Sequence, residues 1–266
     1  MGSLIDLHSH VLPDLDDGAQ HLEDSLALAR EAVDSGVTVL YATPHHRNGV
    51  YNNEKEDIIQ CVDYLQQQLD AQGISVQILP GQEIHVYGEI VEDIKQDRIL
   101  TYNNEGKYIL LELPYDQVPS SIERILYEIQ LLGITPIIPH PERNQAIRKH
   151  PGRLYDMVKR GALTQLTAAS ILGKFGRDVQ RFSLQCIEHN LSHLIASDAH
   201  RAGRRGIVIA EAYRFIEKQY GTYVSQQFKR NADMIHQGED VYVDPPERIE
   251  RKKKSKFFSL FRGRRR

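Results

Sequence analysis

The chain alternates short apolar runs with longer segments in which apolar residues recur every three or four positions. The short runs predict β-strands, and the longer segments predict amphipathic helices. In residues 21–35, for example, Leu22, Leu26, Ala29 and Val33 fall on one helical face, and Gly36 ends the helix. The predicted strands cover residues 4–9, 37–43, 75–80, 107–113, 134–139, 163–167 and 193–197. The predicted helices cover residues 21–35, 54–72, 119–132, 151–160, 177–190, 207–219 and 222–236.

This alternation of seven strands with helices indicates an α/β protein whose strands pair in parallel through right-handed crossovers. Two architectures fit: a closed (β/α)7 variant of the TIM barrel, or an open doubly wound sheet. In an open sheet a site draws mainly on strands at the switch point, whereas a barrel gathers residues from nearly every strand end. The distribution of polar residues among the strand ends therefore distinguishes the two.

Six apolar runs stop at a His, Asp or Glu, residue types that are costly to bury unless they are paired or bind a metal. This repeated pattern favours a distorted (β/α)7 TIM-like barrel with a metal site at the C-terminal ends of its strands. The segments are DLHSH (6–10), TPHH (43–46), PGQE (80–83), LLE (110–112), IPHP (138–141) and SDAH (197–200).

Two of these segments place ligands two residues apart on a strand, where alternate side chains share one face. His8 and His10 form one such pair, and Asp198 and His200 form the other. A single His on a strand is usually an ordinary core residue, but a pair on one inward face is typical of metal ligands. We therefore expect all four side chains to bind metal.

The remaining strand ends supply further candidates. Glu83 follows a Pro-Gly turn, Glu112 ends the run at 108–111, and His140 lies between two prolines. His45 and His46 are adjacent and should point apart, so we expect one ligand there and favour His45. Near the first strand, three acids compete for a ligand or supporting role. These are Asp14, Asp16 and Asp17.

About ten candidate ligands are too many for one ion and indicate two or three. Imidazole and carboxylate ligands without thiolates fit Mn²⁺, Fe²⁺ and Zn²⁺, and so many His side chains disfavour Mg²⁺. Such clusters clamp phosphate and lower the pKa of bound water. Arg143 follows His140 by three residues, and Arg201, Arg204 and Arg205 follow His200. Because arginine binds phosphate through two parallel hydrogen bonds, these residues support a phosphate substrate, with ordinary surface charge as the alternative.

Composition separates the body of the chain from its end. Residues 251–266 hold nine of the 33 Lys and Arg and no acid, so the other 250 residues carry 24 basic and 36 acidic side chains and a formal charge of −12. An acidic body suits divalent cations and argues against nucleic acid. We expect one domain at 1–245 and, after Pro245-Pro246, a tail at 246–266. Its basic and Phe residues are typical of a segment that lies on anionic lipid, with a solvated tail as the alternative.

No apolar run reaches the ~18 residues that a membrane span needs, and no signal peptide is expected before the first strand. Cys61 and Cys186 fit a reducing, cytoplasmic compartment better than a disulfide framework. Neither cysteine has an Arg six positions later, which excludes a phosphatase that uses a phosphocysteine intermediate.

The combined motifs resemble the PHP (polymerase and histidinol phosphatase) superfamily across residues 4 to about 240. Within it they are most similar to bacterial manganese-dependent protein-tyrosine phosphatases of capsule and exopolysaccharide gene clusters, helped by the segment GITP at 133–136. The motifs that carry the resemblance are HSH (8–10), DG (17–18), TPH (43–45), Glu83, Glu112, HPER (140–143) and SDAH (197–200).

The resemblance implies a site of three metal ions and two phosphate-binding arginines, Arg143 and Arg204, with Arg205 as a competitor of Arg204. It implies hydrolysis of phosphotyrosine on a membrane-associated bacterial tyrosine kinase and on its targets, by attack of a metal-bridging hydroxide. The implied ligands are His8, His10, Glu83 and Asp198 for one ion, Glu83, Glu112 and His140 for a second, and Asp17, His45 and His200 for the third.

Two other functions stay open at this point. One is a small-molecule phosphatase of the histidinol-phosphate type, or a phosphodiesterase, on the same fold and site. The other is a metal-binding regulatory domain without activity, which the apparently complete ligand set disfavours. The short loops between strands and helices favour a protein substrate, because a small substrate is usually enclosed by longer insertions.

Overall fold

The computed structural model describes residues 3–250, in which strands and helices alternate along the chain. The strands are β1 (Leu4–Ser9), β2 (Val37–Ala42), β3 (His45–His46), β4 (Gln77–Pro80), β5 (Glu83–His85), β6 (Tyr108–Glu112), β7 (Thr135–Pro139), β8 (Leu163–Thr167) and β9 (Leu194–Ala196). The helices are α1 (Leu22–Asp34), α2 (Lys55–Ala71), α3 (Ile90–Lys95), α4 (Ile122–Leu131), α5 (Gln145–Lys149), α6 (Gly152–Lys159), α7 (Ala168–Ile171), α8 (Arg177–Glu188), α9 (Ile209–Tyr220) and α10 (Thr222–His236).

All pairings between these strands are parallel, as the sequence predicts. One sheet has the order β1-β2-β4, and the other has the order β3-β5-β6-β7-β8-β9. Each of the seven predicted strands is present within about two residues of its predicted bounds. The parallel α/β class is therefore confirmed.

Two predicted strands are interrupted and then continue as short second strands. β2 ends at Ala42 and resumes as β3 after Thr43 and Pro44, while β4 ends at Pro80 and resumes as β5 after Gly81 and Gln82. The first halves, β2 and β4, pair in one sheet, and the second halves, β3 and β5, pair in the other. The two interrupted strands therefore stay neighbours on both sides of the interruption. The interruption turns His45 and Glu83, which are register partners, toward the same end of the fold.

The first and last strands also approach each other. The backbone N–H of His10 donates to the carbonyl of Ala199 at 2.8 Å, and the N–H of Asp198 donates to the carbonyl of His8 at 2.9 Å. An isolated parallel bridge joins Ser9 to Ala199. Segments about 190 residues apart in the chain are thus held together directly beside the predicted ligands.

The helices pack apolar faces against the sheets. In α4, Ile122, Ile125, Leu126 and Ile129 are buried at the three- and four-residue spacing predicted for an amphipathic helix. Each such side chain contributes about 1.5–3 kcal/mol through the apolar surface it removes from water. An inner cluster lies between the strands themselves. Its strand members include Ile5, Leu7, Val39, Tyr41, Tyr108, Leu110, Ile137, Leu163 and Leu194.

Within residues 3–250 no helix combines the length and apolar character required to cross a bilayer. The basic and aromatic tail proposed from the sequence lies almost entirely in residues 251–266, outside the described part of the chain.

Candidate metal centre

The predicted ligands from both ends of the chain meet at the C-terminal ends of the strands. His8 lies in β1, His10 follows it, and their Nε2 atoms are 3.2 Å apart, as expected for side chains on one face. Both nitrogens lie 3.3 Å from Oε2 of Glu83. They lie 3.5 Å and 3.4 Å, respectively, from Oδ1 of Asp198. Four side chains thus point their donor atoms at one position.

These separations match the geometry of a bound cation. Donor atoms about 2.1 Å from one metal ion lie roughly 3.0–3.5 Å from each other in octahedral or tetrahedral arrangements. All four residues are essentially inaccessible to solvent. A cluster of acidic and imidazole groups at this depth is stable only when its charges are balanced.

Glu83 is the central carboxylate of the site and is buried, although its sequence context also fits an exposed turn. Its Oε1 accepts from Nε2 of His140 at 2.8 Å, and its Oε2 lies 3.1 Å from Nδ1 of His45. Glu112 lies farther out, with carboxylate oxygens 3.8 Å from the same two imidazoles. The position of Glu83 between several imidazoles is suited to bridging two ions.

A third group forms at the outer side of the centre. Oδ1 of Asp17 lies 3.5 Å from Nε2 of His45 and 3.4 Å from Nε2 of His200. His10 also belongs to this group, because its ring is 3.9 Å from that of His200. His46 faces away and binds the carbonyl of Asn53, which leaves His45 as the residue that reaches the site. All nine predicted ligands are therefore within one continuous cluster.

Two of these ligands have an uncommon backbone. His140 has a φ of 37° and Asp198 a φ of 52°, in the left-handed region that residues other than Gly rarely adopt. Such conformations cost about 1–3 kcal/mol and persist where the surrounding structure enforces them. Pro139 and Pro141 flank His140, and the backbone hydrogen bond to His8 holds Asp198. The fold thus accepts a local cost in stability at two of the predicted ligands.

Asp16 orients His10 from behind. Its carboxylate lies 2.6 Å from Nδ1 of His10 and accepts from the backbone N–H groups of His45 at 3.0 Å and Gly18 at 2.9 Å. Burial alone would raise the pKa of Asp16, but His10 and the two N–H groups outweigh it and lower that pKa. With Nδ1 as the proton donor to Asp16, the lone pair of Nε2 faces the cluster.

Gly18 makes this arrangement possible. A Cβ atom at this position would lie 2.1 Å from the carbonyl oxygen of His10 and 2.4 Å from its Cβ, so no larger residue fits without moving the backbone. The Gly18 carbonyl and the Asp16 carbonyl both accept from the Gln20 side chain. The turn at 16–20 is therefore packed directly onto the ligand strand.

Two other imidazoles are also held through their second nitrogen. Nδ1 of His200 lies 3.1 Å from the carbonyl of Asp198, which favours a proton on Nδ1 and a free lone pair on Nε2. Nδ1 of His8 lies 3.1 Å from the side-chain amide of Gln165, whose Oε1 has no partner. Exchanging the amide oxygen and nitrogen, which are assigned by hydrogen bonding, lets the oxygen accept from His8 Nδ1.

The electrostatics of the cluster suit a divalent ion. Burial would lower the pKa of His10, but Asp16, Asp198 and Glu83 outweigh it and raise that pKa well above its ordinary value. Burial would raise the pKa of Glu83, yet the surrounding imidazoles hold it well below its ordinary value. The carboxylates that raise the pKa of His10 do so by attracting the positive charge of a proton. The same negative charge attracts a metal cation to this cluster.

Several buried atoms in the cluster have no hydrogen-bond partner among residues 3–250. They are Oε2 of Glu83, Nδ1 of His45 and Nε2 of His200. Buried polar atoms are nearly always satisfied, so three orphans at one site need an explanation. Oε2 of Glu83 and Nε2 of His200 are atoms that a metal would bind, whereas Nδ1 of His45 lies 3.1 Å from that same Oε2, and the donor set fits divalent ions.

The arginines differ in how they approach the site. Arg143 and Arg205 each donate to Oδ2 of Asp198, the latter at 2.8 Å, while Oδ1 faces the imidazoles. Burial would raise the pKa of Asp198, but these two guanidinium groups and His8 outweigh it and hold it well below its ordinary value. Arg204 is exposed and lines a cavity beside Asp17 without an ion pair in the described chain.

The sequence alone did not single out two residues that shape the site, His85 and Gln165, and it left Asp16 and Arg205 as alternatives to their neighbours. His85 follows Glu83 by two residues on β5 and places Nδ1 3.3 Å from Oε2 of Glu112. That spacing is the same signal that identified the pair His8 and His10, but residues 83–85 did not look like a strand.

Comparison with known proteins agrees with this picture. The sequence model of the family described as "Capsular polysaccharide synthesis, CpsB/CapC" matches residues 4–237. Tyrosine-protein phosphatase YwqE of Bacillus subtilis is 41% identical over 96% of this chain and 100% of its own length. Tyrosine-protein phosphatase CpsB of Streptococcus agalactiae serotype V is 32% identical over 87% of this chain and 98% of its own.

Solved structures give the same result. A chain from the crystal structures of YwqE from Bacillus subtilis and CpsB from Streptococcus pneumoniae, described as unique metal-dependent tyrosine phosphatases, matches with a TM-score of 0.91 and 41% identity. It covers 93% of this chain and is itself covered completely. A phosphotriesterase homology protein from Escherichia coli, 9% identical with a TM-score of 0.55 over 86% of this chain and 96% of its own, shares the fold alone. The resemblance drawn from the ligand motifs is confirmed.

Proposed function

The chain belongs to the CpsB/CapC family of capsular polysaccharide synthesis proteins, and from this membership we propose how its site works. It is a metal-dependent protein-tyrosine phosphatase, a hydrolase of phosphoric monoesters. The observation that carries this conclusion is the convergence of His8, His10, Glu83 and Asp198 donor atoms on one position, with 3.2–3.5 Å between the measured pairs.

We propose that the nine ligands hold two or three ions, with Mn²⁺ as the first candidate and Fe²⁺ or Zn²⁺ as alternatives. Three overlapping donor groups support this number. They are His10, Asp17, His45 and His200; His8, His10 and Asp198; and His45, Glu83 and Glu112. His140 joins the last group through its contacts with Glu83 and Glu112. Ions bound there supply positive charge that polarises the phosphoryl group and acidifies water.

The protein's own residues then position the substrate. Arg143 lies beside the ligands with its guanidinium 5.2 Å from the Phe175 ring, so it can present remaining N–H groups to phosphate oxygens. The Tyr51 ring lies nearly parallel to that of His45, 6.3 Å away. A phenyl ring entering the mouth can pack against Tyr51 or Phe175. The phenolate leaving group, with a pKa near 10, departs without a strong general acid.

The proposed substrate is phosphotyrosine on a membrane-associated bacterial tyrosine kinase and on its targets in capsule or exopolysaccharide synthesis. The placement of the enzyme in the cytoplasm, at the inner membrane face, is part of this proposal. The tail at 246–266 would hold it there by binding anionic lipid. Flotation with anionic liposomes tests this step, because equal partitioning of the full chain and residues 1–248 would rule it out.

We also infer that the two sheets form one distorted seven-stranded barrel. The interrupted strands count as one each, β1 and β9 approach through the Ser9 to Ala199 bridge, and the inner apolar cluster draws on six of the nine strands. This arrangement accounts for ligands arriving from nearly every strand end.

The deciding experiment measures phosphate release from a phosphotyrosine peptide and from histidinol phosphate. Both use chelator-stripped protein with Mn²⁺ added back. We expect Mn²⁺-dependent release from the peptide, loss of that release in His8→Ala, and no effect of the matched exposed variant His150→Ala. Release from histidinol phosphate alone would keep the fold and the site but contradict the protein substrate.

A further inference from the structure

A cavity of about 430 Å³ opens directly beside the metal centre. It shares two walls with the centre, because Asp17 and His200 line both. Its other walls come from α7, the loop between α7 and α8, and the loop after His200. The residues of this basic cavity that matter here are Lys174, Phe175, Arg201, Arg204 and Arg205.

Four basic side chains line this cavity, and three of them make no side-chain ion pair or hydrogen bond in the described part of the chain. Lys174, Arg201 and Arg204 are exposed, and none of them has a side-chain ion pair or hydrogen bond within residues 3–250. Arg205 differs, because it donates to Asp198. Unpaired like charges close together repel, so this grouping costs stability unless an anion joins it.

The loop that carries the two free arginines is held in place by its backbone. The N–H of Arg205 donates to the carbonyl of Arg201 at 3.1 Å, and the N–H of Arg201 donates to the carbonyl of Arg205 at 3.2 Å. The carboxylate of Glu31 accepts from the N–H of Gly203 at 3.2 Å. A Cβ at Gly206 would lie 2.4 Å from that same carboxylate, so the loop sits tightly on α1. Arg201 and Arg204 therefore project from a hairpin whose backbone is held in one conformation.

The charge of the cavity contrasts with the rest of the molecule. Outside residues 251–266 the chain has a formal charge of −12, which repels anionic partners in general. A local group of free cations at the edge of the active site counters this repulsion at one point only. Such complementarity selects partners and speeds association more than it adds raw affinity.

We propose that the basic cavity binds a second anionic group on the phosphotyrosine substrate, within a few residues of the target tyrosine. That group is a carboxylate or a second phosphate. Arginine accommodates either through paired N–H donors, and Lys174 adds a point charge. The ring of Phe175, stacked against Arg143, separates the cavity from the arginine beside the metal ligands. The inference rests on the proposed function, since it assumes that phosphotyrosine enters the neighbouring centre.

The test compares three phosphotyrosine peptides of equal length on the full chain loaded with Mn²⁺. Their flanking position holds Gln, Glu or a non-hydrolysable phosphonate mimic of phosphotyrosine. Hydrolysis is measured for the wild type and for the double variant Lys174→Gln, Arg201→Gln. The matched control is Lys95→Gln, Lys218→Gln, which removes the same charge from exposed helix positions outside the cavity. Binding of peptides with the phosphonate at the target position is measured in parallel.

We expect the Glu or phosphonate peptide to have a KM and a Kd about tenfold lower than those of the Gln peptide, with kcat unchanged. The cavity variant should remove that difference, whereas the control variant should keep it. The stronger of the two anionic peptides identifies carboxylate or phosphate as the ligand. Equal values for all three peptides on the wild type, or an equal weakening of all three in the cavity variant, would overturn the proposal.

The binding arm keeps this proposal separate from the proposed function. If no peptide released phosphate, the activity would be wrong, while the Kd values would still report on the cavity. If every peptide released phosphate at one KM, the activity would stand and the cavity proposal would fail.

Discussion

The substitution Asp16→Asn probes how a residue that touches no substrate controls the metal centre. Asp16 accepts three hydrogen bonds, from His10 Nδ1, His45 N–H and Gly18 N–H. An asparagine has one oxygen and one NH₂ group, so it cannot accept from both sides. If its oxygen faces Gly18, the NH₂ group faces Nδ1 of His10, and the imidazole responds by moving its proton to Nε2. A protonated Nε2 has no lone pair for a metal.

The opposite orientation is no better. With the oxygen toward His10, the NH₂ group meets the N–H of Gly18, and a buried donor loses its partner at a cost of about 1–3 kcal/mol. The turn at 16–20 then opens, and His10 loses its support. Changes to groups that orient metal ligands typically weaken metal affinity by about 10–100-fold. That range corresponds to roughly 1.4–2.7 kcal/mol of binding free energy.

The assay is calorimetric titration of chelator-stripped protein with Mn²⁺, beside phosphotyrosine hydrolysis at saturating Mn²⁺. Asp14→Asn is the matched control, because Asp14 is exposed two residues away. We expect weaker binding and slower hydrolysis in Asp16→Asn only, with activity recovering in part at high Mn²⁺. Unchanged affinity and rate would show that the Asp16 contact does not select the His10 tautomer.

Three further predictions concern other parts of the molecule. Burial lowers the pKa of His193 to about 4 from an ordinary 6.5, so the folded state keeps this imidazole neutral. Because the unfolded chain takes up the proton first, the contribution of His193 to the free energy of unfolding is highest above pH 6.5 and falls as the pH drops toward 4. The shift corresponds to about 3 kcal/mol. The substitution His193→Asn keeps an acceptor for Thr164 N–H. It should therefore reduce the fall in the free energy of unfolding between about pH 6.5 and 4.5, as measured by denaturant titrations. Gly18→Ala should lower the midpoint of thermal unfolding and weaken Mn²⁺ binding together, because its Cβ collides with His10; a crystal structure with unmoved His10 would contradict this. Arg143→Lys should reduce kcat/KM by about tenfold or more while leaving Mn²⁺ affinity within about twofold, and an equal loss of both would mean that Arg143 acts by holding Asp198.

The regular elements could be predicted because local periodicity reflects burial. Helix α4 shows its buried face in the sequence, and the seven main strands appear as apolar runs. The short strands β3 and β5 could not be predicted, because two or three residues carry no measurable period. They exist because the preceding strands are interrupted at Pro44 and Gly81 and then resume in the other sheet.

The clustering of the candidate ligands was predictable for a different reason. Histidines and acids at the ends of buried strands are costly without a metal, so His8, Glu83 and Asp198 stand out in the sequence. The choice among Asp14, Asp16 and Asp17 could not be made locally, since it depends on how the turn packs against His10. The sequence also could not show which of the neighbouring arginines faces the site, because the hairpin at 201–205 decides which guanidinium turns inward.

The two arginines that share Asp198 also bear on how the reaction ends. Each guanidinium has five N–H donors, and in each group one is already engaged by the same carboxylate oxygen. Arginines whose charge is partly balanced by Asp198 hold inorganic phosphate less tightly than two unpaired arginines would. Within the proposed function, inorganic phosphate therefore leaves arginines whose charge Asp198 already balances in part, which favours its release before the next turnover.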